Sequence, residues 1–168
     1  MKLLGMLVVA LSACGALPVS DAGVESDAGQ SVSLPDGGAE ALPVTLSELK
    51  AFALSGAHRQ WVHEAAPHAS TGPHSGQVQS FFNPVLAESL KSGQATHPIG
   101  SIVVKELSSG GRITGYAVDV KRTDGQWVFF EGFDPAYNQY YFTGTANLCG
   151  NCHQAGVDFV LTPRTAVP

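Results

Sequence analysis

Near its C-terminal end the chain carries Cys149-Gly150-Asn151-Cys152-His153, two thiols separated by two residues and followed at once by an imidazole. No other feature limits the fold as much, because whatever these side chains hold must be wrapped by the rest of the chain. C-x-x-C-H is the signature of covalent c-type haem attachment, in which two thioethers hold the porphyrin and the histidine binds its iron. Its rivals fit less well. A disulfide that closes so short a ring removes little chain entropy. A structural zinc wants four ligands. His58, His63, His68 and His74 recur every five or six residues, off the spacing of one helix face. Pro67, Gly72 and Pro73 interrupt that run, so it reads as a surface cluster. A thioredoxin-like site needs a βαβ pattern around its cysteines, and none precedes Cys149. One covalent haem c uses all three residues.

The methionines are Met1 and Met6, both in the N-terminal apolar segment. The His/Met ligation common in electron-transfer cytochromes is therefore excluded. The iron is either closed by a second histidine, such as His97, or open to a small molecule.

Residues 1–14 read MKLLGMLVVALSAC, a basic start, an apolar run and Leu-Ser-Ala before Cys14. This is the layout of a secretory signal, and the run is too short to span a bilayer. The ending resembles a lipobox, which makes Cys14 a lipidation site; a plain signal peptide with a chance cysteine is the alternative. Residues 15–42 are rich in Ala, Gly, Ser, Asp and Pro, with acidic Asp21, Glu25, Asp27, Asp36 and Glu40 and no Lys or Arg. Such a segment cannot build a core and reads as a flexible linker. The organisation expected is a signal peptide over 1–13, a lipidated cysteine and linker over 14–42, and one domain over 43–168. The formal charge of −5 belongs mostly to the linker, and no nucleic-acid partner is suggested. The domain is expected to face the periplasm of a bacterial cell envelope, held to a membrane by lipid.

Within the domain, Thr45-Leu46-Ser47-Glu48 is a capping box that opens a helix through about residue 54. Asn83-Pro84 and Gly93 bracket a second helix with an N-cap, a first-turn proline and a glycine stop. Three stretches rich in β-branched and aromatic residues then predict strands over 101–107, 113–121 and 126–132, joined by turns at Gly110-Gly111 and Asp124-Gly125. Residues 157–162 (VDFVLT) predict a further strand. The fold class expected is mainly β (α+β): an antiparallel meander sheet with a few short helices around one haem.

Arg59-Gln60-Trp61, Phe81-Phe82-Asn83-Pro84, residues 100–107 (GSIVVKEL), residues 124–129 (DGQWVF), the C-x-x-C-H motif and Asp158-Phe159-Val160 occur in an order that resembles the cytochrome P-460 family. The resemblance spans roughly residues 57 to 162. It implies a mainly β homodimer whose haem is five-coordinate through His153. Cytochromes P-460 oxidise hydroxylamine and carry a further covalent bond from a lysine to the porphyrin rim. The beta-type cytochromes c′ of the same family lack that bond and bind nitric oxide or carbon monoxide beneath phenylalanines.

Lys105 matches the crosslinking position. Strand alternation sets it beside Val103 and Leu107, where a lysine needs a partner. Alternatively Ile102 and Val104 form the core face and Lys105 is solvated. The distal residues suggested are Phe81, Phe82, Tyr140 and Phe142. Residues 134–148 hold Tyr137, Tyr140, Tyr141 and Phe142 but no carboxylate after Asp134, so those aromatics are pocket wall or ordinary packing. The function expected is hydroxylamine oxidation with electrons passed to a redox partner protein. The alternatives are a gas-binding cytochrome c′ and, less favoured, a bis-histidine carrier.

Overall fold

A computed structural model of the chain describes residues 42–74, 76–133, 139–144 and 148–167. The signal segment, Cys14, the linker through residue 41 and Tyr137 lie outside the described residues. Leu42, which composition assigns to the linker, is 3% exposed and packs in the core.

The first helix, α1 (Leu46–Ser55), begins where the capping box predicts. The Glu48 amide donates to Thr45 Oγ1 at 3.4 Å, and the Thr45 amide donates back to Glu48 Oε2 at 2.9 Å. Gly56 ends the helix in the left-handed conformation at φ 71°. A 3₁₀ turn (Ala57–Gln60) follows, then the short strands β1 (Val62–His63) and β2 (His68–Ala69) and a longer β3 (Gln77–Phe82). Helix α2 (Pro84–Ser92) leads into the meander of β4 (Ile102–Ser109), β5 (Arg112–Lys121), β6 (Trp127–Phe133) and β7 (Gln139–Gly144). Helix α3 (Leu148–His153) carries the C-x-x-C-H motif.

All seven strands form one antiparallel sheet, in the order β1-β3-β4-β5-β6-β7 with β2 also on β3. The chain is thus mainly β with a few short helices. The strand expected over 157–162 does not form. Val157 and Val160 bridge only each other across a tight turn, because the residues between them take a conformation no strand accepts.

Both faces of the sheet are buried, which is why β4 reads as a nearly continuous apolar run. On one face Phe81, Val104, Val118 and Phe130 pack with Leu49 and Ala53 of α1. On the other, Phe82, Val103, Trp127 and Phe129 pack with Leu86 and Leu90 of α2 and with Val160 and Val167. We call this second side the inner face; it carries the site.

Candidate functional site

Directly paired residues of an antiparallel sheet share a face, so the register reads out the floor of the site. Ser80 pairs with Lys105, Lys105 with Ala117, Ala117 with Glu131, and Glu131 with Tyr141. This row crosses five strands on the inner face. It brings a cation and an anion to either side of the small Ala117, roughly 10 Å apart by strand spacing. Above the row lies a cavity of about 270 Å³ lined by Lys105, Glu131, His74, Cys149, Cys152 and His153. Phe133 and Tyr141 supply its aromatic wall, with their rings edge to face at 6.0 Å.

Lys105 is buried at 9% exposure between Val103 and Leu107. Among the described residues no protein group bonds its amine. Ile102 and Val104 are indeed core, but on the opposite face, so Lys105 is not solvated there.

The imidazole of His153 is buried. Its Nδ1–H donates to the Phe159 carbonyl at 2.9 Å, while Asp119 Oδ2 stands 3.6 Å from the same nitrogen. The edge of the ring meets Phe129 at 4.9 Å. Because a carbonyl can only accept, Nδ1 carries a proton, which leaves Nε2 as the nitrogen with which the ring can bind a metal. Cys149 and Cys152 are half-buried, and neither is joined in a disulfide. Burial pushes the Cys149 thiol up from its ordinary value, and the charges of Asp119 and Glu131 add to this. The thiol therefore stays protonated at neutral pH and is a weak nucleophile in the folded chain.

Two acid–histidine pairs stand on the far wall. Glu131 Oε1 lies 2.7 Å from His74 Nδ1. Glu64 Oε2 lies 3.3 Å from His68 Nε2 and also accepts the Ser80 amide at 2.7 Å. No carboxylate follows Asp134 up to Leu148; those that line the cavity are Glu131 of β6 and Glu64. The signal for Glu131 was the same alternation that marks Lys105, since it follows Trp127 and Phe129 on the inner face. The histidines do not form one surface cluster. His58 is fully buried on the opposite face against Glu106, and His74 reaches the cavity.

The suggested distal residues are not brought to the cavity wall. Phe81 lies on the opposite face against the rings of His58 and His63, and Phe82 is core beneath α2. Tyr140 and Phe142 point away from the cavity and are 39% and 40% exposed, with the Lys50 ammonium 4.1 Å above the Tyr140 ring. His97 lines a separate hollow between α2 and residues 155–163, with Ser89 Oγ 2.8 Å from its Nδ1.

These residues fit a covalently held haem. Two reduced thiols and a histidine that presents Nε2 face one cavity, and across from them the amine of the buried Lys105 bonds no group among the described residues. Among the described residues no three His, Cys, Asp or Glu side chains form a cage for a bare metal ion; a haem iron asks for one or two of them. No protein-family model, curated protein or solved structure matches the chain.

Proposed function

We propose that the protein is an exported, lipid-anchored mono-haem c-type cytochrome that oxidises hydroxylamine or a similar small nitrogen species. Its electrons would pass to a redox partner protein, and by the family resemblance it works as a homodimer. The observation that carries this reading is the gathering of Cys149, Cys152 and His153 on α3 with Lys105 and the Glu131–His74 pair around one cavity.

When bound, a haem supplies an iron that accepts electrons one at a time and an open position for a small ligand. Cys149 and Cys152 hold it through thioethers, and His153 offers Nε2. Lys105, whose amine bonds no group among the described residues and which lines the same cavity as the two cysteines, is suited to the third covalent attachment that the resemblance implies. Removing electrons from hydroxylamine also releases protons, and a carboxylate in the cavity is positioned to accept them. Glu131 takes that role, and His74 holds it toward the cavity. This acid–base pair favours an enzyme over a carrier that only binds gas.

The test is mass spectrometry of the haem peptide together with the spectrum of the reduced protein, for wild type and Lys105→Leu. The wild type should be linked through Cys149, Cys152 and Lys105 and show the red-shifted ferrous band of a crosslinked porphyrin. Lys105→Leu should keep thioether-bound haem, revert to an ordinary ferrous c-type spectrum and lose hydroxylamine oxidation. If the peptide is linked only at the two cysteines and the variant changes neither spectrum nor turnover, the gas-binding cytochrome c′ reading takes its place.

A further inference from the structure

Among the described residues, only two other than glycine have positive φ, and they are consecutive: Asp158 at 45° and Phe159 at 67°. Left-handed backbone is costly for an aromatic residue and persists only where the surroundings over-determine it. Here they do. Asp158 Oδ2 accepts from Lys121 Nζ at 2.6 Å and from the His97 amide at 2.7 Å. Lys121 Nζ also donates to the His97 carbonyl at 2.8 Å. The ion pair is largely enclosed, with its two side chains 6% and 15% exposed. Val157 and Val160 exchange amide–carbonyl bonds across the turn at 3.1 and 2.9 Å. Gly156 closes against it so tightly that a Cβ there would lie 2.2 Å from the Val160 carbonyl oxygen.

The product of this effort is the position of one atom, the Phe159 carbonyl oxygen 2.9 Å from His153 Nδ1. A competing acceptor waits at 3.6 Å, Asp119 Oδ2, two residues before Lys121 on the same face of β5. A carboxylate partner draws an Nδ1 proton more strongly than a carbonyl does, makes the imidazole a stronger donor through Nε2, and so favours the oxidised metal.

We infer that the Lys121–Asp158 ion pair is a positioning device for His153: it locks the 157–160 turn so that the neutral Phe159 carbonyl, and not the Asp119 carboxylate, takes the Nδ1 proton. The inference rests on His153 being the haem ligand, as proposed above. Asp158 and Lys121 act through the turn: their bonds go to each other and to the backbone of His97, not to the His153 ring.

The experiment uses the haem-loaded protein, made in a host with c-type maturation. Wild-type protein without thioether-bound haem would sink the proposed function itself, before this inference is reached. Given haem, the readouts are the Fe–His stretching band of the ferrous protein by resonance Raman, the midpoint potential and the melting temperature. Asp158→Ala and Lys121→Met should raise the band and lower the potential as the proton passes to Asp119. Asp158→Asn keeps an acceptor oxygen and tolerates left-handed backbone, so both values should stay near wild type. Adding Asp119→Asn to Asp158→Ala should drop the band below wild type.

A band and potential unchanged in Asp158→Ala and Lys121→Met, with only the melting temperature reduced, would make the ion pair a staple and overturn the inference. A lowered band in those two variants would overturn it as well, because Asp119 would then not be the competitor. If Asp158→Ala fails to fold, Lys121→Met, which keeps the aliphatic stem, carries the same decision.

Discussion

Asn83 ties three backbone groups with one side chain. It is 2% exposed. Its Oδ1 accepts the Leu86 amide at 3.0 Å, capping α2, and the Ile102 amide at 3.0 Å, where β4 begins. Its Nδ2 donates to the Gly100 carbonyl at 2.8 Å. Asn83→Ala strands all three. Loss of the cap costs about 1 kcal/mol, and each of the other two buried groups left without a partner costs about 1.5 kcal/mol. The sum is about 4 kcal/mol, a large share of the stability of a domain this size. At roughly 3–5 °C per kcal/mol the melting temperature should fall by about 12–20 °C. Asn83→Asp keeps both bonds to Oδ1 and sets an oxygen against the Gly100 carbonyl, so it should lose about half as much. Urea and thermal unfolding of the haem-loaded protein, followed by circular dichroism, give both numbers. A loss below about 1 kcal/mol in Asn83→Ala would mean that water replaces the amide, and the clamp described here would not exist.

Cys149→Ser combined with Cys152→Ser should release haem to acid-acetone extraction while the wild type retains it; haem extractable from the wild type refutes covalent attachment. Glu131→Gln should slow hydroxylamine oxidation by about 10²–10⁴-fold, the usual worth of a positioned base, and leave nitric oxide binding intact; equal turnover would remove Glu131 from the reaction. Burial pushes the Glu106 carboxyl up, but its bonds to His58 and Arg59 outweigh this and hold it below its ordinary value. Its contribution to stability is therefore complete above the unfolded value of about 4.3 and lost as pH falls through the lower folded value. Glu106→Gln should flatten the acid limb of a plot of urea midpoint against pH, and an unchanged limb would contradict the assignment.

Much of the fold is legible where one local rule decides. Thr45 and Glu48 cap α1, Asn83 and Gly93 bracket α2, and the turn glycines separate β4, β5 and β6. Strand parity is equally local, and it reaches further than one residue. Strand alternation places Asp119, Lys121 and Glu131 on the inner face just as it does Lys105: Lys105 and Glu131 line the cavity, Asp119 stands beside His153, and Lys121 pairs with Asp158. β3 carries no clear strand signature because three of its six residues (QVQSFF) are Gln or Ser. Its polar positions are reached by side chains of neighbouring segments, such as the Glu64 carboxylate on the Ser80 amide, which no local pattern reveals. The evenly spaced histidines scatter because a 3₁₀ turn and two short strands redirect the chain between His58 and His74. The parity of Phe81 and Phe82 depends on which neighbour β3 pairs with, a long-range fact. VDFVLT has strand composition, but the ion pair on Asp158 bends it into a turn.

The alternation along β4 behaves like a reading frame. Lys105 and Glu106 are neighbours of opposite charge sent to opposite sides of the sheet, one to the cavity and the other to His58 and Arg59. The frame is held upstream by the clamp at Ile102, and the pairing of β4 with β5 shifts only past Leu107, where Thr114 of β5 is the extra residue. Deletion of Val103 or Val104 would deliver the Glu106 anion where the cavity has its cation, and Lys105 to the other face. Length is thus constrained more strictly than identity here. Residues 102–107 should accept conservative substitutions in a variant library yet reject every insertion or deletion, while the turn at 123–125 accepts both.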